Sequence, residues 1–198
     1  MLKHNYKEQI IKIVEKYRIL WTNEIFNILI KNEVYDAAIF ISQKHDNIEN
    51  CMKLSVKQIE KIFNDIKQFL LEYRESVNSV IIFIKLEEIK KYLDLALTSC
   101  ASWTEENQNY STDDLNNTCL ILLDLFYKFK NELSQEIKGN RLKLKYKSTS
   151  LNSIFEKVIK NILENIEYIL SIMSDYIPLS FIVKVLCQKL QNSKFKEY

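Results

Sequence analysis

Residues 54–73, LSVKQIEKIFNDIKQFLLEY, decide how this chain folds. Their apolar side chains, Val56, Ile59, Ile62, Phe63, Ile66, Phe69, Leu70 and Tyr73, recur at steps of three and four. A helix completes a turn every 3.6 residues, so this spacing gathers them on one stripe and leaves the residues between them to solvent. The stretch is predicted to be a long amphipathic helix.

The same period extends towards both ends of the chain. Tyr6, Ile10, Ile13, Val14, Tyr17, Leu20 and Trp21 share one face of an N-terminal helix. Thr22 and Asn23 are candidate caps for a second helix carrying Ile25, Phe26, Leu29 and Ile30. A break at residues 31–33 leads to residues 34–43 with Tyr35, Ala38, Ile39 and Ile41, where Ala37 and Ala38 are small enough to admit a close neighbour. Residues 80–84, VIIFI, suit a strand by composition. No good partner strand accompanies them, so they are predicted to be a helix start or a buried connection. The helical period returns over 86–101 through Leu86, Ile89, Tyr92, Leu93, Ala96 and Leu97.

Polar residues 104–114 are predicted to be a loop, with Ser111 or Thr112 as N-cap of a helix over about 113–136. Asp113 and Asp114 suit its first turn. That helix is apolar nearly all round between Cys119 and Phe129, which predicts a central position. Residues 137–150, IKGNRLKLKYKSTS, are basic and hold Gly139, and are predicted to be a flexible loop. Ser150 then caps a helix reaching about Met173, with Leu151, Ile154, Phe155, Val158, Ile162, Ile166, Ile169 and Leu170 inward. Pro178 fits the first turn of a last helix carrying Leu179, Ile182, Val183 and Leu186.

Composition supports the same fold class. The 198 residues include one glycine and one proline, against averages of about 7% and 5%. Tight β-hairpins need positive φ, which glycine supplies most easily. The prediction is an all-α chain of about eight helices in one domain over 1–198, with antiparallel pairs stacked as an α-solenoid or packed as an irregular helical bundle.

Several function classes lose support at this level. A net charge of +2 argues against an extended nucleic-acid footprint, and no nucleic acid is expected as a partner. Cys51, Cys100, Cys119 and Cys187 lie far apart with no CxxC pair, which is neither a zinc pattern nor a disulfide framework and suits a cytoplasmic setting. No apolar run approaches the roughly 20 residues of a membrane span. His4 and His45 have no nucleophile or carboxylate at a telling spacing, and there is no phosphate loop or HExxH. The expectation is a non-enzymatic protein without a cofactor.

Some residues keep two readings. Asp124 either faces solvent, pairing with Lys128 one turn on, or forms a buried polar link to a neighbouring helix. Lys138, Arg141, Lys143, Lys145 and Lys147 are either a solvated loop or a contact for anionic lipid or a partner. Trp21 and Trp103 are either core and loop anchors or partner contacts.

Two stretches carry a resemblance. Residues 32–54, NEVYDAAIFISQKHDNIENCMKL, resemble a clathrin-type helical repeat, with Tyr35 as a wedge between helices and Ala38 permitting close approach. Residues 100–129, CASWTEENQNYSTDDLNNTCLILLDLFYKF, and 174–190, SDYIPLSFIVKVLCQKL, are similar to the family of vacuolar protein sorting-associated protein eight. The features that carry it are Cys100, Leu122, Leu123, Asp124, Phe126, Tyr176, Pro178 and Leu179, with a further helix expected near Lys194 and Phe195. The family's propeller and zinc RING have no counterpart here. The resemblance therefore implies a solenoid segment of a CORVET-type tethering subunit, or a reduced relative. Its partners would be other tethering-complex subunits, with peripheral association at endosomal membranes.

Overall fold

A computed structural model describes residues 9, 12–13, 23–45, 47–71, 78–106, 112–143, 149–176 and 178–194. Its regular elements are α1 (Asn23–Lys31), α2 (Tyr35–Lys44), α3 (Ile48–Leu71), α4 (Asn78–Glu106), α5 (Thr112–Lys143), α6 (Thr149–Tyr176) and α7 (Leu179–Lys194). The fold is all-α, and the described residues contain no strand. Residues 80–84 are helical, as the first alternative for them held. The chain divides into two compact units, Met1–Glu106 and Asn107–Tyr198.

In the first unit α3 and α4 form the principal pair. The stripe that the sequence showed is the one buried: Ile59, Ile62, Phe63, Ile66 and Leu70 lie inside α3, and Ile82, Leu86, Ile89, Leu93, Ala96 and Leu97 inside α4. Burying each large aliphatic or aromatic side chain is worth about 1.5–3 kcal/mol. At one flank of the pair Lys85 Nζ reaches Asp65 Oδ2 and Glu88 Oε2, both at 3.3 Å. α2 packs on α3, and α1 on α2. Ala37 and Ala38 are fully buried, so their small side chains let the α2 backbone approach its neighbours. Ser42 and Ser55, also buried, return their hydroxyls to the carbonyls of Ala38 and Cys51, both at 2.8 Å.

Two helix ends show how the chain turns almost without glycine. After α1, the Val34 N–H donates to the Leu29 carbonyl at 2.9 Å and the Glu33 N–H to the Ile30 carbonyl at 3.0 Å. Glu33 sits at φ 55 between them. This is a Schellman ending with glutamate in the left-handed position that glycine usually takes. Before α3, Asn47 is the N-cap, its Oδ1 accepting the Asn50 N–H at 3.2 Å.

In the second unit α6 packs against both α5 and α7. α5 contributes Cys119, Leu122, Leu123, Phe126, Phe129 and Leu133, and α6 contributes Ile154, Phe155, Val158, Ile162, Ile166, Ile169 and Met173. The expectation that the 119–129 helix is central is therefore corrected: α6 holds the middle. Asn117, Ile121, Asp124 and Lys128 line the outer side of α5 and are exposed. Enclosing Asp124 and Lys128 would strip water from both charges.

Two helices outrun their expected ends. α4 continues through Trp103 to Glu106, and α5 through Gly139 to Lys143, so the expected loops at 104–114 and 137–150 are helical in part. One glycine inside a helix costs about 1 kcal/mol relative to alanine. Its neighbours Glu136, Lys138, Arg141 and Leu142 are good helix formers, and cations suit a helix C-terminus. Trp21, His4 and most of the expected N-terminal helix lie outside the described residues, although residues 9, 12 and 13 are helical.

Candidate functional site

The residues singled out by sequence fall into three physical situations. The first is core. Leu122, Leu123 and Phe126 are fully buried on α5 and Ala38 on α2. They hold helices together and touch no solvent-borne ligand. The second is the α1–α2 corner, where Tyr35 is half-buried. Lys61 Nζ lies 5.6 Å from the Tyr35 ring centroid and also pairs with Glu33 Oε2. A cation over an aromatic face at a partly exposed site contributes about 0.5–1 kcal/mol. The trio thus clips the left-handed corner onto the middle of α3. Tyr35 and its cation are a fastening between elements.

The remaining residues belong to neither. Asp124 is exposed, which removes the reading of it as a buried link between helices. Lys138, Arg141 and Lys143 belong to the last turns of α5, while Lys145 and Lys147 lie outside the described residues. Tyr176 ends α6. Pro178 precedes α7, and its carbonyl accepts the Phe181 and Ile182 N–H groups at 2.9 and 3.3 Å. It stands at the cap and not in the first turn, so the proline restricts the entry to α7.

α7 packs on α6, and Ile182 is the buried side chain among those of α7 whose burial is described. Ile182 is buried and Leu186 half-buried, but Leu179 is 69% and Val183 49% exposed. These four share a helix face. Half of that face is thus seated on the unit and half is presented outward, while Phe181 is exposed on the opposite side of the helix. The sequence identified this face as apolar, and the structure adds which of its members are presented.

A second apolar surface, on the first unit, went unrecognised. Val80 is 59% and Ile84 52% exposed at the start of α4, with Phe83 exposed between them. They lie on the side opposite Ile82, Leu86 and Ile89. The sign of it was in the VIIFI run, because a helix apolar on every side has two faces to cover.

Chemistry-bearing groups are sparse. Among the described residues no group of three or more His, Cys, Asp or Glu side chains is placed to hold a metal. Burial pushes the Tyr127 phenol above its usual pKa, which keeps it neutral. Cys51 and Cys119 are buried thiols and Cys187 an exposed one. No described helix is long and apolar enough to cross a membrane.

No family model matches the chain, and no curated protein or solved structure matches it either. The resemblance to the tethering family is overturned by that result, and with it the assignment to a CORVET-type subunit, to clathrin-type repeats and to endosomal vesicle transport. The burial pattern gives the physical reason. Leu122, Leu123 and Phe126 are the inward positions any paired helix requires, and Ala38 is a small residue at a helix contact. What the comparisons leave in place is an all-α chain of packed helices, recognisable by its packing and not by a lineage.

Proposed function

We propose that this chain is a non-catalytic helical module that binds another protein, and that the outward half of the α7 face is its contact surface. The observation that supports this reading is the pair Leu179 and Val183, exposed one turn apart on a helix that Ile182 anchors to its unit. Leaving two aliphatic side chains in water forgoes roughly 25 cal/mol per Å² of apolar area. Spaced at i and i+4, they match what an amphipathic helix of a partner offers in helix-in-groove recognition. Within each unit consecutive helices pack on one another, which supports a stacked arrangement, with exposed apolar side chains on α7.

The test is a paired substitution, Leu179→Asp with Val183→Asp, in the full chain. Protein partners are identified by cross-linking in cells, and their affinities remeasured with purified components. Loss of two central apolar contacts should weaken binding by about 30-fold or more, with helicity and thermal midpoint retained because Ile182 is untouched. A partner bound equally well by the variant, or a native chain that binds no protein, overturns the reading.

A further inference from the structure

We infer that the partner of the α7 surface is an acidic amphipathic helix, one that sets apolar side chains on Leu179 and Val183 and carboxylates beside Lys184. The inference rests on the reading of α7 as a protein contact and adds the chemistry of what binds there.

α7 is basic in sequence from end to end. The stretch LSFIVKVLCQKLQNSK holds Lys184, Lys189 and Lys194 and neither Asp nor Glu. Its first turn has no acid, and the helix macrodipole adds a partial positive charge at that end. On other helices a lysine finds an acid one turn away: Lys53 pairs with Glu49, and Lys160 lies 3.7 Å from Glu164. α7 has no acid to supply such a partner from within.

The positive charge stands beside the presented apolar pair. Buried Ile182 and half-buried Leu186 mark the side of α7 seated on α6. Each residue turns the helix by about 100°, which puts Lys184 on the side facing away from α6, next to Val183. Lys184 and Ser180, one turn apart, are both exposed. The exposed acids Glu164, Glu167 and Asp175 belong to α6, the helix from which this side of α7 turns away.

Apolar area and charge do different things at such a surface. Leu179 and Val183, 69% and 49% exposed, favour any apolar seam. Charges at the rim choose among seams, because like charges brought together are costly and opposite ones speed the encounter. An anionic lipid surface offers the same sign of charge. Interfacial helices bury one continuous apolar face, whereas α7 commits Ile182 to α6 and carries Phe181 on the side opposite Leu179 and Val183. A peptide helix fits that divided arrangement.

The experiment titrates the full chain with two designed amphipathic peptides that share one leucine seam at i and i+4 spacing. One has glutamates flanking the seam and the other lysines, and vesicles of phosphatidylcholine with phosphatidylserine form a third arm. At low ionic strength the glutamate peptide should bind at least about 10-fold more tightly than the lysine peptide. The preference should shrink to about 2-fold or less at 1 M salt, where the screening length is about 3 Å. Lys184→Glu should weaken the glutamate peptide about 5-fold with the circular dichroism spectrum unchanged, since the side chain is exposed. Leu179→Asp with Val183→Asp should abolish binding of the glutamate peptide. Equal affinity for the two peptides, lost for both in the double variant, overturns the acidic partner and leaves the α7 contact standing. A preference for the lysine peptide, binding to the vesicles alone, or no binding in any arm also overturns the inference, while the partner cross-linking described above judges the contact itself.

Discussion

Gln58 offers the sharpest check on the packing of the first unit. It is 3% exposed in α3, among Leu54, Ile59 and Ile62. Its Oε1 has no hydrogen-bond partner among the described residues. A buried acceptor left unmatched costs about 1–3 kcal/mol. Methionine has a similar length, no branch at Cβ and a comparable helix propensity. Gln58→Met should remove the penalty while filling nearly the same volume, stabilising the first unit by about 1–2 kcal/mol. For a unit of roughly a hundred residues each kcal/mol moves the thermal midpoint by about 4–8 °C. Urea denaturation followed by circular dichroism measures the gain, and amide exchange in α3 assigns it to the first unit, since two units need not unfold together. Gln58→Glu supplies the converse. Burial without a partner raises the folded-state pKa of the new carboxyl above its unfolded value of about 4.3. The folded state then holds the proton more tightly, so stability should be nearly unaffected below pH 4 and fall as pH rises towards neutrality. A loss of 1 kcal/mol or more in Gln58→Met would refute the reasoning, because it would mean the amide oxygen is well satisfied in the folded protein.

Three further outcomes follow from single observations. Ala38 is fully buried on α2, which packs on both α1 and α3, so Ala38→Leu should destabilise the first unit by about 1–3 kcal/mol through overpacking, measured by urea denaturation. Asn47→Ala removes the oxygen that accepts the Asn50 N–H and should cost about 1 kcal/mol, with faster exchange confined to the first turns of α3. Gly139→Ala, inside α5, should stabilise the second unit by about 0.5–1 kcal/mol, read as a raised thermal midpoint. A glycine in a left-handed loop conformation would give the opposite sign.

The helices were legible because burial follows period. Ile59, Ile62, Phe63, Ile66 and Leu70 sit inside α3 for the reason their spacing suggests: one face of a helix can be covered by one neighbour. Helix ends were less legible where a local rule competed with propensity. Gly139 looked like a break, yet its neighbours carry the helix across it to Lys143. Glu33 is the reverse case. It occupies a left-handed position at φ 55, and nothing in the residue type announces that. The corner is closed locally by the Val34 and Glu33 N–H groups on the Leu29 and Ile30 carbonyls and tied across α3 by Lys61, and only the last of these is a product of tertiary packing.

The surfaces were hardest to read, and the reason lies in what an apolar residue means in sequence. Ile82 and Ile84 are the same residue type two positions apart. One is fully buried, and the other is half exposed. Only the placement of α3 distinguishes them. The same holds on α7, where Ile182 is enclosed and Val183 is open. Leu122, Leu123 and Phe126 show the opposite error: they looked like a family signature and are the interior of a helix pair. Such residues are constrained by packing, which every helical chain must solve with the same few side chains. Exposed apolar residues are not constrained that way, since packing in their own unit does not require them. Val80, Ile84, Leu179 and Val183, like Ile28 and Ile121, are therefore positions where burial within the chain gives no reason for an apolar side chain, and no period in the sequence could have told them from the buried ones.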